Sequence, residues 1–561
     1  MKRGVLSWLG YAAVALFLVA FIVVPVGLVL AGGLSPAYLG EVLAHPVYRQ
    51  GLMNAFTVAG IVTLGCFAVT LPLAWLAWRF RFRAKGLAEA LLLSPLILPP
   101  FVGALGIFQI FGHYGLINTL GSGIGLWDQG PDWLGDHRLA LVCLSEILGL
   151  YPILYLTLAA SFSRLDPALI EAARMAGADR LTVLRRIVLP LLKPGLFAGG
   201  ALIFVWSFTE LGTPLMLGFD RITSVQIFNG LADIQANRMP FALVVVMLVV
   251  VAGLYAGGRA LSGRSHEALV MKGGSGDGSV RLHGWHALLA WLPFAALALA
   301  ASAPHLVVVA FSVATDWYRT LLPATFTLTH YREALADPLV VPSIINSLGY
   351  SAAATCLAVA VGLAIAWITV RWKPRGAALL DGVAMIPLAV PGLIMAFGFL
   401  GLALLVTITF PALKPYLDPQ RNPAPLLIIA YAVRRLPHVV RAVNAGLAQA
   451  PVVLEEAAAA CGAGPFTRLR RVTVPLIAGS LAAGALLTFS FSMLEVSDSL
   501  ILAQQRDFWP VTKVIYELAV QLGDGPALAC AFGTWAMLFL ASCLAAAAVF
   551  LGKGPTALFR S

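Results

Sequence analysis

Glu210 and Glu495 stand 285 positions apart, each inside a long apolar run, and the chemistry open to this chain starts with them. An ionisable side chain at the centre of a bilayer costs about 2.5–3.5 kcal/mol on insertion scales, so it faces protein or a water-filled path. Glu210 sits in Ser207-Phe208-Thr209-Glu210-Leu211-Gly212, and Glu495 in Ser492-Met493-Leu494-Glu495-Val496-Ser497 with Asp498 close behind. Ser207, Thr209, Glu210, Arg434, Glu495 and Asp498 are therefore the candidates for lining a path. The alternative is that each carboxylate bonds a neighbouring helix and meets no solute. Arg434 and Arg435 interrupt a third run where the earlier half of the chain has Gly149 and Leu150, and Arg434 is expected to pair with Glu495 or Asp498, the alternative being that it attracts an anion. Glu146 has Tyr431 in its matching place, and His438, beside Pro437, reads as a packed histidine. Neither a Ser/His/Asp set nor an HExxH pair is present, so neither covalent catalysis nor a metal site is expected.

The elements that must hold these groups are membrane helices. Of 561 residues, 60% are hydrophobic and 11% charged, whereas soluble domains carry about 25% charged residues. Apolar stretches of spanning length lie near 8–31, 51–78, 87–112, 139–162, 197–217 and 240–262, and again near 286–313, 343–370, 378–407, 425–447, 479–503 and 529–552. The fold class expected is an all-α polytopic membrane protein of about twelve transmembrane helices. The run after Met1-Lys2-Arg3 exceeds a signal-peptide core and reads as a retained first helix. The net charge of +11 invites a nucleic-acid reading, but 27 of the 37 Lys/Arg fall on one side if both termini are cytoplasmic. The positive-inside rule absorbs that excess, and nucleic acid is not expected as a partner. Six cysteines without a CxxC pair imply neither disulfides nor a metal cluster.

The chain is one unit written twice in the same orientation. Asn54 matches Asn346, and Pro95 and Pro99 match Pro387 and Pro391, all at a spacing of 292. Pro152 matches Pro437, and Glu171 matches Glu456, at 285, which places a seven-residue deletion in an outer loop near Pro411 to Pro423. Two parallel-repeat six-helix halves, 1–262 and 286–561, are expected around a pseudo-two-fold axis, joined by a cytoplasmic Gly-rich linker over 263–285. The linker lacks the Gly-Lys-Ser/Thr ending of a phosphate loop. The paired prolines break the third and ninth spans, which can open backbone carbonyls to a cavity or kink the helix, and the kink alone is expected.

The most specific pattern is Glu171-Ala172-Ala173, Gly177, Ile187, Leu189 and Pro190, repeated at identical spacing as Glu456-Ala457-Ala458, Gly462, Val472, Val474 and Pro475. Asp166-Pro167 can cap and open a helix, the alanines leave a smooth packing face, and Gly177 permits a left-handed turn. A second helix bearing Arg180, Arg185 and Arg186 is expected to end at Pro190. The product is a helix, turn and helix in an inner loop, over 164–196 and again over 449–481.

This pattern resembles the EAA loop of permeases of type I ATP-binding-cassette importers, whose fold is described as MetI-like. The resemblance implies that Glu171, Ala172, Ala173, Gly177 and Pro190, with Glu456, Ala457, Ala458, Gly462 and Pro475, couple the spans to an ATPase. It implies a homodimer of an ABC ATPase subunit on the cytoplasmic side, a periplasmic substrate-binding protein, and a multi-pass bacterial inner-membrane location with both termini cytoplasmic. ATP and Mg would be used by the partner, with no cofactor and no catalytic site in this chain. Fused chains of this size are most similar to ferric-ion permeases, while thiamine, polyamine, sulfate, aminoethylphosphonate and sugar-phosphate systems have related architectures. A twelve-span secondary transporter is the reading from another class. Its expected second-to-third-span loop would carry an acidic residue, where Arg79-Phe80-Arg81-Phe82-Arg83-Ala84-Lys85-Gly86 has none.

Overall fold

The computed structural model describes residues 5–96, 98–128, 130–234, 237–261, 280–315, 317 and 319–550. Most of the linker segment 263–285 lies outside these residues, but Val280 and Arg281 pair in parallel with Phe80 and Arg81. Ten of the described helices are long and apolar enough to cross a membrane, or eleven if Pro465–Leu476 and Ala478–Met493, bent by 79°, count as one span. Ala424–Gln449 has the length, at 26 residues, but carries three charges, Arg434, Arg435 and Arg441. Leu16, Leu64, Leu299 and Leu538 are 65–71% exposed, an outward apolar surface suited to lipid and not to water.

Prolines shape the spans in two ways. Val19–Val23, Leu184–Val188 and Leu469–Thr473 are π-helical turns, each followed by one residue and then a proline: Val24-Pro25, Leu189-Pro190 and Val474-Pro475. In each, the N–H before the proline reaches back five residues, Leu189 to Leu184 and Val474 to Leu469. The widened turn moves away the carbonyl that the proline ring would strike in a regular helix. Pro190 therefore does not end its helix, as its type suggests, and Leu189–Phe208 continues into the membrane. In the second copy the chain runs through Pro475 as well and bends two residues later.

The prolines of the third and ninth spans do more than kink them. The third divides into Lys85–Leu92, a short 3-10 turn and Pro100–Phe111; the ninth divides into Ala377–Ala389 and Gly392–Thr409. The ninth runs through Pro387 and breaks at Pro391, which has no N–H to donate and before which Val390 is extended at φ −94°, ψ 119°. In the third span the freed carbonyls are met by side chains, Ser94 Oγ donating to the Leu91 carbonyl at 2.8 Å and Tyr151 Oη to the Leu92 carbonyl at 2.7 Å. His305 Nε2 lies 3.3 Å from the Pro99 carbonyl, which also accepts from the Val102 and Gly103 N–H groups.

The described chain forms two compact units that cut across the sequence repeat. One combines 1–46, 226–247 and 327–558; the other combines 47–225 and 248–326, with a few C-terminal residues. Within the first unit, a Cβ on Gly398 would lie 2.8 Å from the Pro25 carbonyl oxygen, so the first span lies against the ninth backbone to backbone. Within the second unit Gly106 gives the same close approach to Pro304, bringing the seventh span onto the third. Glycines 292 positions apart thus let each half lend its opening span to the helices of the other. Gly398→Val is expected to destabilise the protein by about 1–3 kcal/mol through overpacking, read as earlier thermal unfolding in detergent; an unchanged transition would refute the close contact.

Candidate functional site

The two repeated loops, 164–196 and 449–481, have the same backbone. In the first, Asp166 caps Pro167–Met175 by accepting from the Ala168 N–H at 2.9 Å. Gly177 follows at φ +84°, with the Gly177 N–H on the Arg174 carbonyl and the Ala178 N–H on the Ala173 carbonyl. In the second, Gly462 is also at φ +84°, and the same two bonds run from Gly462 to Ala459 and from Ala463 to Ala458. Each pair of bonds closes a helix C-terminus through a left-handed residue, the geometry glycine adopts without steric cost. Nothing lies within 4 Å of a Cβ placed on either glycine. Glu171, Ala172, Gly177, Pro190, Glu456, Ala457, Gly462 and Pro475 are exposed, with Ala173 and Ala458 half-buried. Met175 is 89% exposed and Val453 68%, so each loop presents an apolar surface that its own unit does not cover.

The copies differ in how the helices begin. Asp179 accepts from the Thr182 N–H at 3.1 Å to open the second helix of the first loop, and its bonds to the Thr182 side chain and backbone hold its carboxyl below the usual carboxylate range. At the matching places the second loop has Pro451 and Gly464, neither with a side-chain cap.

The paired intramembrane acids lie in different units, and their surroundings differ. The fifth span stops at Phe208, and Glu210 then turns its Oε1 onto the N–H groups of Gly212 and Thr213 at 3.1 and 3.3 Å, capping the short helix Gly212–Met216. Ser207, fully buried, donates to the Glu146 carboxylate, and Thr209 bonds back to the Val205 carbonyl at 2.8 Å. The eleventh span stops at the equivalent Met493, but Glu495, 3% exposed, faces Arg434 and Arg435 instead. Arg434 Nε lies 3.1 Å from Glu495 Oε2, and Arg435 Nη2 donates to the same oxygen. The Glu495 carbonyl accepts from the Thr512 hydroxyl at 2.8 Å and from that of Ser499, whose Oγ lies 2.6 Å from the Tyr431 hydroxyl. Asp498, 1% exposed, has no hydrogen-bond partner on either carboxylate oxygen among the described residues. The hydroxyls of Thr488, Ser490 and Ser492 are likewise buried and unbonded. These unsatisfied oxygens make the stretch from Thr488 to Asp498 a polar part of its unit's interior.

Room for the arginine comes from a glycine. The Arg434 guanidinium packs on Gly392, where even a methyl group would collide with it. At the matching positions of the first half the sizes are exchanged: Gly149 lies against Pro100, and a methyl group on Gly149 would stand 3.3 Å from the Pro100 Cβ. The arginine pair therefore belongs to the second half's packing as well as to its charge.

Two groups were not singled out by residue type. Lys513, 9% exposed, donates to the Leu500 carbonyl at 3.2 Å and lies over the rings of Phe228 and Trp509 at 5.5 and 5.6 Å. Arg371, at the C-terminal end of the eighth span, contacts Glu455 at 3.1 Å. Glu455 stands beside the motif residue Glu456, which draws the eye first; its one signal in the sequence is that the first half has Ile170 at the same place.

Comparison with known proteins agrees with this twofold architecture. The chain is 25% identical over 479 residues to the ferric transport system permease protein of Actinobacillus pleuropneumoniae, covering 82% of this chain and 66% of that one. It is 28% identical over 582 residues to a Sinorhizobium fredii protein named as a probable ABC transporter permease, covering 98% of each. Over 232 residues it is 30% identical to the sulfate transport system permease protein of Salmonella typhimurium, 39% of this chain and 78% of that one. A family model, that of the binding-protein-dependent transport system inner membrane component, matches twice, over 68–264 and 358–549, one copy for each half of the repeat. With both inner loops and most of the spans inside those matches, the chain belongs to the inner membrane components of binding-protein-dependent transport systems, and is an ABC importer permease.

Proposed function

We propose that this chain forms the whole transmembrane path of an importer whose cargo is ferric ion, and that its two inner loops grip a homodimeric ATPase subunit that uses ATP and Mg on the cytoplasmic side. A periplasmic binding protein delivers the cargo, and both termini are cytoplasmic. The observation that carries this reading is the duplicated exposed turn, Gly177 and Gly462 at the same φ with the same flanking bonds. A surface built twice to one geometry suits a motor with two equal sites. Glu171, Ala172 and Ala173, with Glu456, Ala457 and Ala458, form the gripping faces.

The cargo assignment draws on the ferric relative and on the ionic cluster. Ferric ion is hard and prefers oxygen ligands, and the second half offers Asp498 and three unbonded hydroxyls in its interior. Arg434 and Arg435 are already engaged with Glu495, which argues against a ready-made site for an anion such as sulfate. Glu210, Ser207 and Thr209 belong to the matching stretch of the first half, where hydrogen bonds to their own unit leave them a supporting part.

Co-purification tests the machinery: the affinity-tagged chain is expected to bring down a nucleotide-binding subunit, and proteoliposomes holding both are expected to accumulate ferric ion with ATP and the binding protein present. Transport without any ATP-hydrolysing subunit would refute the reading. Uptake of another solute in preference to ferric ion would replace the cargo and leave the rest.

A further inference from the structure

We infer that Arg371 is a positioning residue that ties the second inner loop to the eighth and tenth spans, through a carboxylate whose place in the first half is taken by Ile170. This rests on the importer reading above. Arg371 stands in the π-helical turn Trp367–Trp372 that closes the eighth span. Its Nε is 3.1 Å from Glu455 Oε1 in the first turn of Val452–Ala460, and its Nη2 donates to the Ala450 carbonyl at 2.9 Å. Ala450 is the residue on which the tenth span, Ala424–Gln449, ends. One guanidinium therefore joins three elements: the end of one span, the carbonyl end of another, and the helix that carries Glu456, Ala457 and Ala458.

The charges suit their places. A cation at a helix C-terminus and a carboxylate in a helix's first turn are both favoured by the helix dipole. The side chains are 10% and 14% exposed, so water and salt screen this pair less than a surface pair.

The first half solves the same problem differently. Its matching arginine is Arg79, but Ile170 replaces Glu455 and can accept no hydrogen bond through its side chain. There the helix is started by Asp166 and its successor by Asp179, the two caps that Pro451 and Gly464 remove from the second half. In the second half the contact of Arg371 with Glu455 holds the helix to the spans. Movement imposed on the second loop is thus passed directly to the eighth and tenth spans, and the tenth carries Arg434 and Arg435.

The test uses the full importer in proteoliposomes, with ferric ion taken up per ATP hydrolysed as the readout. Arg371→Ala and the near-isosteric Glu455→Gln are each expected to lower that ratio about fivefold, while ATP hydrolysis continues. The exchange Arg371→Glu with Glu455→Arg is expected to recover part of it, because the ion pair returns but the bond to Ala450 does not. A ratio unchanged in both single variants would overturn the inference. So would less inserted protein with a normal ratio in what remains, since that is a structural role alone. If the wild-type chain assembles with no ATPase, the importer reading fails instead, before either variant is compared.

Discussion

Glutamate in place of Gly177 or of Gly462 is expected to lower ATP-dependent uptake by about tenfold or more while the protein still inserts. Both glycines are at φ +84°, where a side chain costs about 1–2 kcal/mol. With nothing within 4 Å of the added Cβ, this strain is not compounded by a clash inside the protein. Folding and insertion therefore survive, and the damage falls on what the exposed turn meets. A bulky carboxylate would stand where a smooth surface has to pack, and the strained turn would alter the angle between the two helices of the loop. Alanine at the same positions carries the backbone penalty with little bulk and is expected to lose less. Uptake normalised to inserted protein checks this, and undiminished uptake in both glutamate variants would remove the coupling role of the turns.

The second large effect is expected at Glu495. Glu495→Ala leaves the guanidinium groups of Arg434 and Arg435, 23% and 19% exposed, without the carboxylate that both of them contact. Breaking a buried ion pair from one side costs about 3–5 kcal/mol, because the surviving charge is left uncompensated. Thermal unfolding of the purified protein in detergent should therefore begin well below that of the wild type. Replacing Arg434 and Arg435 with methionine in the same variant is expected to recover much of the loss, since removing all partners removes the stranded charges. Glu210→Ala, which takes away a helix cap at the matching position, is expected to cost less, about 1 kcal/mol. Equal losses at Glu210 and Glu495 would contradict the different surroundings described for them.

The contrast between these two glutamates marks how far residue type could be read. Their pairing across the repeat was visible from spacing alone, as was an arginine pair without a counterpart. Their different partners were not visible, because Glu210 bonds N–H groups two and three residues ahead, whereas Glu495 meets side chains some 60 residues behind. The prolines were legible as interruptions but not in their outcome. Pro99 and Pro391 separate helices, while Pro190, with a π turn before it, lies in a continuous one, and no residue type announces which outcome a proline has.

The linear order of residues determined the class of this protein: apolar runs of spanning length, their charge asymmetry, the duplication, and two inner loops whose glycines require a left-handed turn. Those properties follow from local physics, since burial in lipid, helix capping and positive φ depend on a residue and its near neighbours. Tertiary structure alone decided which spans share a unit, which acid meets the arginines, and that Arg371 joins Glu455 to the end of the tenth span. Each of those depends on contacts between segments distant in the chain, where a glycine such as Gly398 or Gly392 sets how closely two backbones, or a backbone and a guanidinium, can approach.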